Sequence, residues 1–342
     1  MNEPSQPTPI LRHVVSDQAD QGERADVVLG RRIPALSRRR ARVLARAGKL
    51  RIDGQRQPPS ARVSVGQTLE LELEHQQVSA PELDVLAITE RFVYVHKPAG
   101  IHTVALDPDE PGVLATAVAR RFPECAAASE DPREGGAVHR LDQPTSGVVA
   151  FARSRAAWSE ARREFKAARV AKHYLAVCDR VSDRWPPELP ADGLRGWIET
   201  AAPLTDFADR LAPLLGDRPE QPLVCVRIRA AIGRDGLERS AVRLDGRRAS
   251  TVVQPLASHG DRWLVRLLLE TGCRHQARVH LAWIGLPIVG DRVYGRPTSD
   301  SDRAAIRLHA FAIDLSVVSP DEAPVFAPPA PDFWSANSST PW

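Results

Sequence analysis

The chain has 342 residues, with 46 Lys and Arg against 43 Asp and Glu, 10 His and 4 Cys; 43% are apolar and 26% charged. That length suggests two domains with a sizeable buried core, and the composition excludes global disorder. No apolar run approaches the roughly 20 residues of a membrane span, the opening Met1-Asn2-Glu3-Pro4 starts no secretory signal, and four cysteines without a C-x-x-C pair argue for a reducing cytoplasm rather than a disulfide framework.

Residues 1–21 read as an N-terminal extension. From Arg24 to Arg62, eleven arginines and Lys49 stand against only Asp26 and Asp53. This local charge of +10 in a chain of net +3 leaves −7 for the remainder. A short arginine run is usually a solvated face, but a basic module of this density is the footprint of a polyanion-binding domain. Ser37 is placed to cap a helix over about 38–47, with Gly48 as its stop. Ala41, Leu44 and Ala45 share one face of it, and Arg39, Arg42 and Arg46 form another that turns guanidinium groups to solvent. Leu50 and Ile52 alternate into Asp53-Gly54, a hairpin turn signal. Val63 and Val65, then Leu69, Leu71 and Leu73, alternate as half-buried strands about a turn at Gly66-Gln67.

Residues 76–82 are polar and read as a linker. From Leu83 onward, alternating strands mix with amphipathic helices, which suggests an α+β class. Phe92–His96 is a predicted strand running into the Lys97-Pro98-Ala99-Gly100 turn, and Val148–Ala152 a second strand. Ser154 caps a predicted helix with Trp158, Ala161, Phe165 and Ala168 on one face. Lys172–Cys178 alternates as a strand, with Tyr174, Ala176 and Cys178 on one side. The stretch from Phe207 to Pro222 has weak periodicity and reads as a surface insertion. Trp263–Leu269 is a strand and His275–Ile284 a helix stopped by Gly285 and Pro287. The Pro-rich tail after Ser319 packs only if Phe326, Phe333 and Trp334 find pockets.

Two segments could carry chemistry. His139-Arg140-Leu141-Asp142-Gln143-Pro144-Thr145-Ser146-Gly147 forms a loop ahead of the Val148 strand. Read alone, its Asp142 is more often a turn carboxylate than a reactive one. The second is Thr271-Gly272-Cys273-Arg274-His275-Gln276-Ala277-Arg278-Val279-His280. Cys273, His275 and His280 fit no zinc spacing, so no metal site is expected. There is no G-x-S-x-G elbow and no glycine-rich phosphate loop.

The stretch RADVVLGRRIPALSRRRARVLARAGKLRIDGQRQPPSARVSVGQTLELEL, within residues 22–75, resembles the S4 RNA-binding domain along its length. KPAGI (97–101), HRLDQPTSG (139–147), KHYLAV (172–177), TGCRHQARVHLAWIGLPIVGDRVYG (271–295) and RLHA (307–310) then follow in the order of the RluA-type RNA pseudouridine synthases, which residues 83–335 resemble; residues 336–342 are a tail. The resemblance implies an α+β catalytic domain with a mixed, mainly antiparallel sheet. It also implies isomerisation of uridine to pseudouridine in structured RNA, ribosomal or less readily transfer RNA. It assigns Asp142 as the catalytic aspartate, Arg278 as its ion-pair partner and Tyr174 as the ring against the target base. Arg140 would fill the space of the flipped nucleotide, and His139 in the same motif, with Arg39, Arg42 and Arg46 of the basic helix, would bind RNA. No cofactor, metal or membrane is implied, and a cytoplasmic monomer is expected. One departure stands out: where the family has G-R-T-H-Q-I-R, this chain has Gly272-Cys273-Arg274-His275-Gln276-Ala277-Arg278. The competing reading is a non-catalytic RNA-binding or ribosome-assembly factor on the same fold.

Overall fold

The structure is a computed structural model that describes residues 10–33, 36, 38–73, 81–106, 110–179, 185, 196–215, 224–236, 239–296 and 305–334. Ser37, the predicted cap, most of the predicted linker and the 336–342 tail lie outside the described residues. The chain divides into two compact units, Met1–Pro81 with Val104–Ala117, and Glu82–Thr103 with Val118–Trp342.

In the first unit, β1 (Ile10–Val15), α1 (Ala25–Arg32), α2 (Arg38–Arg46), β2 (Leu50–Ile52), β3 (Gln55–Arg56) and β4 (Thr68–Leu73) form a helix-and-sheet module. Its sheet runs β1-β4-β2-β3, antiparallel throughout. The span read as an extension therefore supplies an edge strand, paired from Ile10↔Leu73 to Val15↔Thr68. Asp53 (φ 50°) and Gly54 (φ 78°) supply the two positive φ angles that a tight right-twisted hairpin needs. Ala25, Val28 and Leu29 of α1 and Ala41 and Ala45 of α2 pack on Leu50, Ile52, Leu69 and Leu71, so the predicted apolar helix face is the buried one. The predicted Val63–Val65 strand does not form. Val63 is buried while Val65 is exposed, and the segment joins no sheet beyond an Arg62–Arg24 bridge.

The second unit is built on β5 (Asp84–Ile88), β6 (Phe92–Lys97), α3 (Leu114–Arg121, which begins in the first unit), α4 (Pro123–Ala126), β7 (Ser146–Ala152), α5 (Arg155–Lys166), β8 (Ala171–Asp179) and β9 (Gly196–Ala201). It continues with α6 (Ala208–Leu215), β10 (Cys225–Ala230), β11 (Ile232–Asp235), β12 (Arg239–Val242), β13 (Ser250–His259), β14 (Arg262–Leu269), α7 (Gln276–Trp283), β15 (Leu308–Asp314) and β16 (Val325–Phe326). Ten strands make one sheet, ordered β5-β6-β7-β15-β8-β14-β13-β10-β9, with β16 added on β15; β11 and β12 form a separate hairpin. Only β7 and β15 run parallel, so the sheet is mixed and mainly antiparallel. Among the described residues no helix is long and apolar enough to cross a membrane.

Strand alternation distributes the core on two faces. Tyr174, Ala176 and Cys178 of β8 face the layer that holds Ala277, Val279 and Leu281 of α7. Leu175 and Val177 face the other side, with Leu211, Phe311 and Phe333. On the β6–β7 half, Phe92, Tyr94, Val148 and Ala150 pack on Ala157, Trp158 and Ala161 of α5, whose Ser154 cap accepts the Ala157 N–H. The predicted insertion needs correcting. Leu211 of α6 is buried and contributes about 1.5–3 kcal/mol by leaving water, and Phe207 packs partly buried against the same cluster, while residues 216–222 of that stretch lie outside the described residues. The tail aromatics also find pockets: Phe326 lies edge-on to Phe207 with ring centroids 4.7 Å apart, and Phe333 is buried.

Candidate active site

The HRLDQPTSG segment is an irregular loop pinned to the KPAGI turn. Lys97 is fully buried and its Nζ donates to the carbonyls of Pro98 (2.9 Å), Ile101 (2.8 Å) and Gln143 (3.1 Å). Three acceptors around one ammonium use all its donors. Burial pushes this lysine down to about 7, with the negative charge of Asp142 opposing the shift. Thr103 Oγ1 donates to Leu141 O and accepts the Leu141 N–H, and Gly100 N–H donates to Gln143 O. The loop ends at Gly147 (φ 122°), where a Cβ would stand 2.2 Å from Ala310 O, so only glycine lets β7 meet β15. Asp142 is thus fixed between two held residues.

Across from it, α7 carries Arg278. The helix start is tied down by Gln276, whose Oε1 accepts from Thr271 Oγ1 and Cys273 N, and whose Nε2 donates to Ser250 O. The Arg278 side chain is only 5% exposed and forks onto Asp291, Nε to Oδ2 at 2.7 Å and Nη2 to Oδ1 at 2.8 Å. Its remaining Nη1 faces Asp142 Oδ2 at 3.5 Å. Burial works against the guanidinium, but the hydrogen bonds and charge of Asp291 outweigh it, and the Arg278 pKa is raised. Asp291 is likewise penalised by burial yet held below the usual carboxylate range by Arg278. Asp142 keeps 29% of its side chain exposed.

Asp142, Tyr174 and Arg278 therefore line one cleft of about 380 Å³, counted to its open mouth, together with Arg140, Cys273 and His275. Among the described residues, Asp142 is the only carboxylate in this lining. Tyr174 sits on β8; burial, then the Asp142 charge, raise its pKa, so it stays a neutral phenol ring. Arg140 is exposed at the cleft. The expectation for His139 is revised. Its Nε2 accepts the Ala150 N–H (3.1 Å), its ring stacks on Phe165 at 5.1 Å, and burial pushes it down to about 3, so it is a neutral scaffold group. His280 is also internal, its ring nitrogens meeting Thr251 Oγ1 and Ala230 O, each at 2.9 Å. Cys273 is half-buried, with Sγ 3.9 Å from Arg248 O. Among the described residues no group of three or more His, Cys, Asp or Glu could hold a metal ion.

The basic module of the first unit is less open than its charge suggests. Asp20 and Asp26 are fully buried. Arg31 and Arg32 (2.9 Å) close on Asp20, while Arg24 (3.0 Å), Arg42 (2.8 Å) and Arg38 (3.6 Å) surround Asp26. Arg42 is thus engaged by Asp26, because a buried carboxylate needs compensation, with 30% of its side chain still exposed. Arg46 is exposed and makes no ion pair among the described residues. Arg39 falls on α2, its side chain outside the described part.

Sequence reasoning missed Asp291, which holds Arg278, and Tyr294, whose Oη stands 2.9 Å from His275 Nδ1. Both lie in the Gly290-Asp291-Arg292-Val293-Tyr294-Gly295 run, a string of turn residues with polar side chains and no apolar periodicity, which was the available signal.

Comparisons with known proteins bear on the family and the fold. A family model described as RNA pseudouridylate synthase matches residues 91–283, and one described as the S4 domain matches residues 23–69. The ribosomal large subunit pseudouridine synthase D of Xanthomonas campestris is 32% identical over 312 residues, covering 88% of this chain and 81% of that protein. The dual-specificity RNA pseudouridine synthase RluA of Salmonella typhimurium is 29% identical over 73% of this chain and 94% of its own length. The solved structure of human RNA Pseudouridylate Synthase Domain Containing 1 shares the fold, with a TM-score of 0.51 at 24% identity, covering 74% of this chain and 86% of that one.

Proposed function

Since this chain belongs to the RNA pseudouridylate synthase family, we propose that it isomerises uridine to pseudouridine in structured ribosomal RNA, with Asp142 as the reacting carboxylate. The observation that carries the assignment is that the cleft's one carboxylate faces a buried arginine at 3.5 Å while Tyr174 lines the same space. The name of the Xanthomonas campestris relative supports ribosomal RNA as the substrate class.

The reaction breaks the N1–C1′ bond, turns the freed uracil and joins C5 to C1′; the C5 proton leaves to solvent and N1 regains one. No electrons are transferred, and no cofactor is required by that balance. Asp142 acts either as the nucleophile at C1′ or as the base that removes a sugar proton, and both roles need it ionised. Arg278 supplies the charge-assisted contact that keeps it so. Extruding the target base costs a few kcal/mol, which stacking on Tyr174 and an Arg140 wedge offset, helped by phosphate contacts from the basic module, Arg46 among them. The four free cysteines support a reducing compartment, and we take the enzyme to act as a cytoplasmic monomer.

The test is tritium release from 5-³H-uridine ribosomal RNA by wild type and Asp142→Asn, with circular dichroism confirming the fold of each. Release by the variant should fall to background, because a neutral amide can neither attack C1′ nor take a proton. Near-normal release by folded Asp142→Asn would overturn the mechanism. No release by wild type on ribosomal or transfer RNA would favour the non-catalytic binding factor.

A further inference from the structure

We infer that Tyr294 holds His275 as the Nε2–H tautomer, making this imidazole a second positioning donor for Asp142 on the carboxylate oxygen that Arg278 does not face. The inference rests on the reading of Asp142 as the reacting carboxylate.

His275 stands immediately before α7 with φ 58° and ψ 23°, the left-handed region. Side chains rarely adopt it, and His is among the few that do so with some frequency. There the ring is only 12% exposed, with Nδ1 2.9 Å from Tyr294 Oη and Nε2 4.0 Å from Asp142 Oδ1. The Tyr294 ring meets it edge-on, with centroids 5.7 Å apart.

The direction of the chain follows from one group whose role is fixed. The Ser240 backbone N–H donates to Tyr294 Oη at 2.7 Å, and an amide nitrogen cannot accept. The phenol oxygen accepts there and keeps its own proton, which it can give to His275 Nδ1 at 2.9 Å. A neutral imidazole that accepts at Nδ1 carries its hydrogen on Nε2. The group facing Nε2 is a carboxylate, an acceptor, which calls for the hydrogen on Nε2 and leaves Nδ1 to accept the Tyr294 hydroxyl. Burial, assisted by Arg278 and Arg274 and opposed by Asp142 and Asp291, depresses protonation of His275 and keeps it neutral.

The same turn serves both donors. Asp291 Oδ1 accepts the N–H groups of Val293 (2.9 Å) and Tyr294 (3.1 Å) while its carboxylate takes the Arg278 fork. Gly295 closes the turn, its N–H on Asp291 O, at a position where a Cβ would lie 2.3 Å from that oxygen. One short segment thus places Arg278 through Asp291 and His275 through Tyr294. At 4.0 Å the His275 contact is open, and a movement of about 1 Å on substrate entry brings it to hydrogen-bond length.

Long-range ¹⁵N–¹H spectra of the full-length protein, with His275→Gln identifying the signals, should show His275 at pH 7 with Nε2 protonated and Nδ1 bare. An Nδ1–H tautomer or an imidazolium overturns the inference. In tritium release, His275→Ala should lower kcat roughly 10–100-fold with KM changed less than about threefold, as for loss of orientation. His275→Gln, which restores an N–H near the Nε2 position, should recover to within about fivefold of wild type. Tyr294→Phe keeps the ring beside Arg278, so a fall in kcat of roughly 3–10-fold reports the hydroxyl alone. Unchanged kcat in the His275→Ala and Tyr294→Phe variants, or a rise in KM alone, overturns the inference. If His275→Ala does not fold, the wild-type spectrum and Tyr294→Phe decide. Absence of release by wild type would overturn the pseudouridylation reading instead, while the spectrum still decides the tautomer.

Discussion

Asp291→Asn separates folding from chemistry. The substitution removes the charge that compensates Arg278 but keeps the side-chain oxygen that accepts the Val293 and Tyr294 N–H groups. What is lost is one member of an ion pair whose two side chains are at most 5% exposed and whose fork closes at 2.7 and 2.8 Å. Leaving one charge of a buried pair without its partner costs about 3–5 kcal/mol. For a domain of this size that is a fall in Tm of roughly 6–20 °C. Asp142, 3.5 Å away and partly solvated, cannot take over the fork without leaving its place in the cleft. Turnover should therefore fall about tenfold or more as Arg278 loses its fixed orientation. Asp142→Asn should do the reverse, with Tm within about 4 °C of wild type, because Arg278 keeps its fork on Asp291 and the long, partly solvated contact is worth about 1 kcal/mol or less, and turnover at background. Calorimetry paired with tritium release reads both quantities. A wild-type Tm for folded Asp291→Asn would refute the claim that this pair anchors the arginine.

The basic module gives two further expectations. Arg46→Ala should lower the slope of log K against log salt for ribosomal RNA by about 0.7–0.9, one phosphate contact, and leave Tm unchanged; Arg42→Ala should leave the slope alone and lower Tm, because its guanidinium sits on Asp26. Equal effects of the two would refute the reading that Asp26 engages Arg42. For Asp20, burial alone would raise its pKa, but the Asp17 N–H and then Arg32 and Arg31 bring it down to about 2 from the ordinary 3.8. A carboxyl depressed in the folded state contributes stability that is complete above 3.8 and is lost as pH falls through 2. Acid titration of the wild type should show that loss of stability between about pH 4 and 2, and the same titration of Asp20→Asn should show a smaller loss, the rest coming from other depressed carboxyls such as Asp26 and Asp291.

The elements read most directly from sequence were those where local pattern and tertiary burial agree. The Ser154 cap and its apolar face, the alternation through Tyr174, and the Asp53-Gly54 hairpin all depend on neighbours within a few residues. What the sequence hid was long-range pairing. Ile10–Val15 looks like a loose end until Thr68–Leu73 is beside it. Phe207 and Leu211 show little periodicity because their partners, Phe311 and Phe326, lie about a hundred residues on. In the site, motif order located Asp142, Tyr174 and Arg278 but assigned charges by residue type. An arginine is legible as a cation, yet whether it stays exposed or closes on a buried aspartate is settled only by packing, as Arg46 and Arg42 illustrate. His139 was misplaced for the same reason: a histidine inside a specific motif looked chemical, and the Ala150 N–H claims its ring.

The division of labour around Arg278 has a chemical logic. A guanidinium that gave its bidentate face to Asp142 would hold the carboxylate firmly and also lower its nucleophilicity and basicity through two short charge-assisted bonds. Here the fork is spent on Asp291, where both groups are buried and their charges cancel. Only the third arm, at 3.5 Å, reaches Asp142. On the proposed role of Asp142, the carboxylate is thus oriented by a fixed cation without being consumed by it, and it remains partly open to the cleft. Lys97, held by three carbonyls behind the loop, adds to this arrangement at longer range in its protonated form. A site of this kind places positive potential around its carboxylate while leaving the lone pairs free, which is what either role for Asp142 demands.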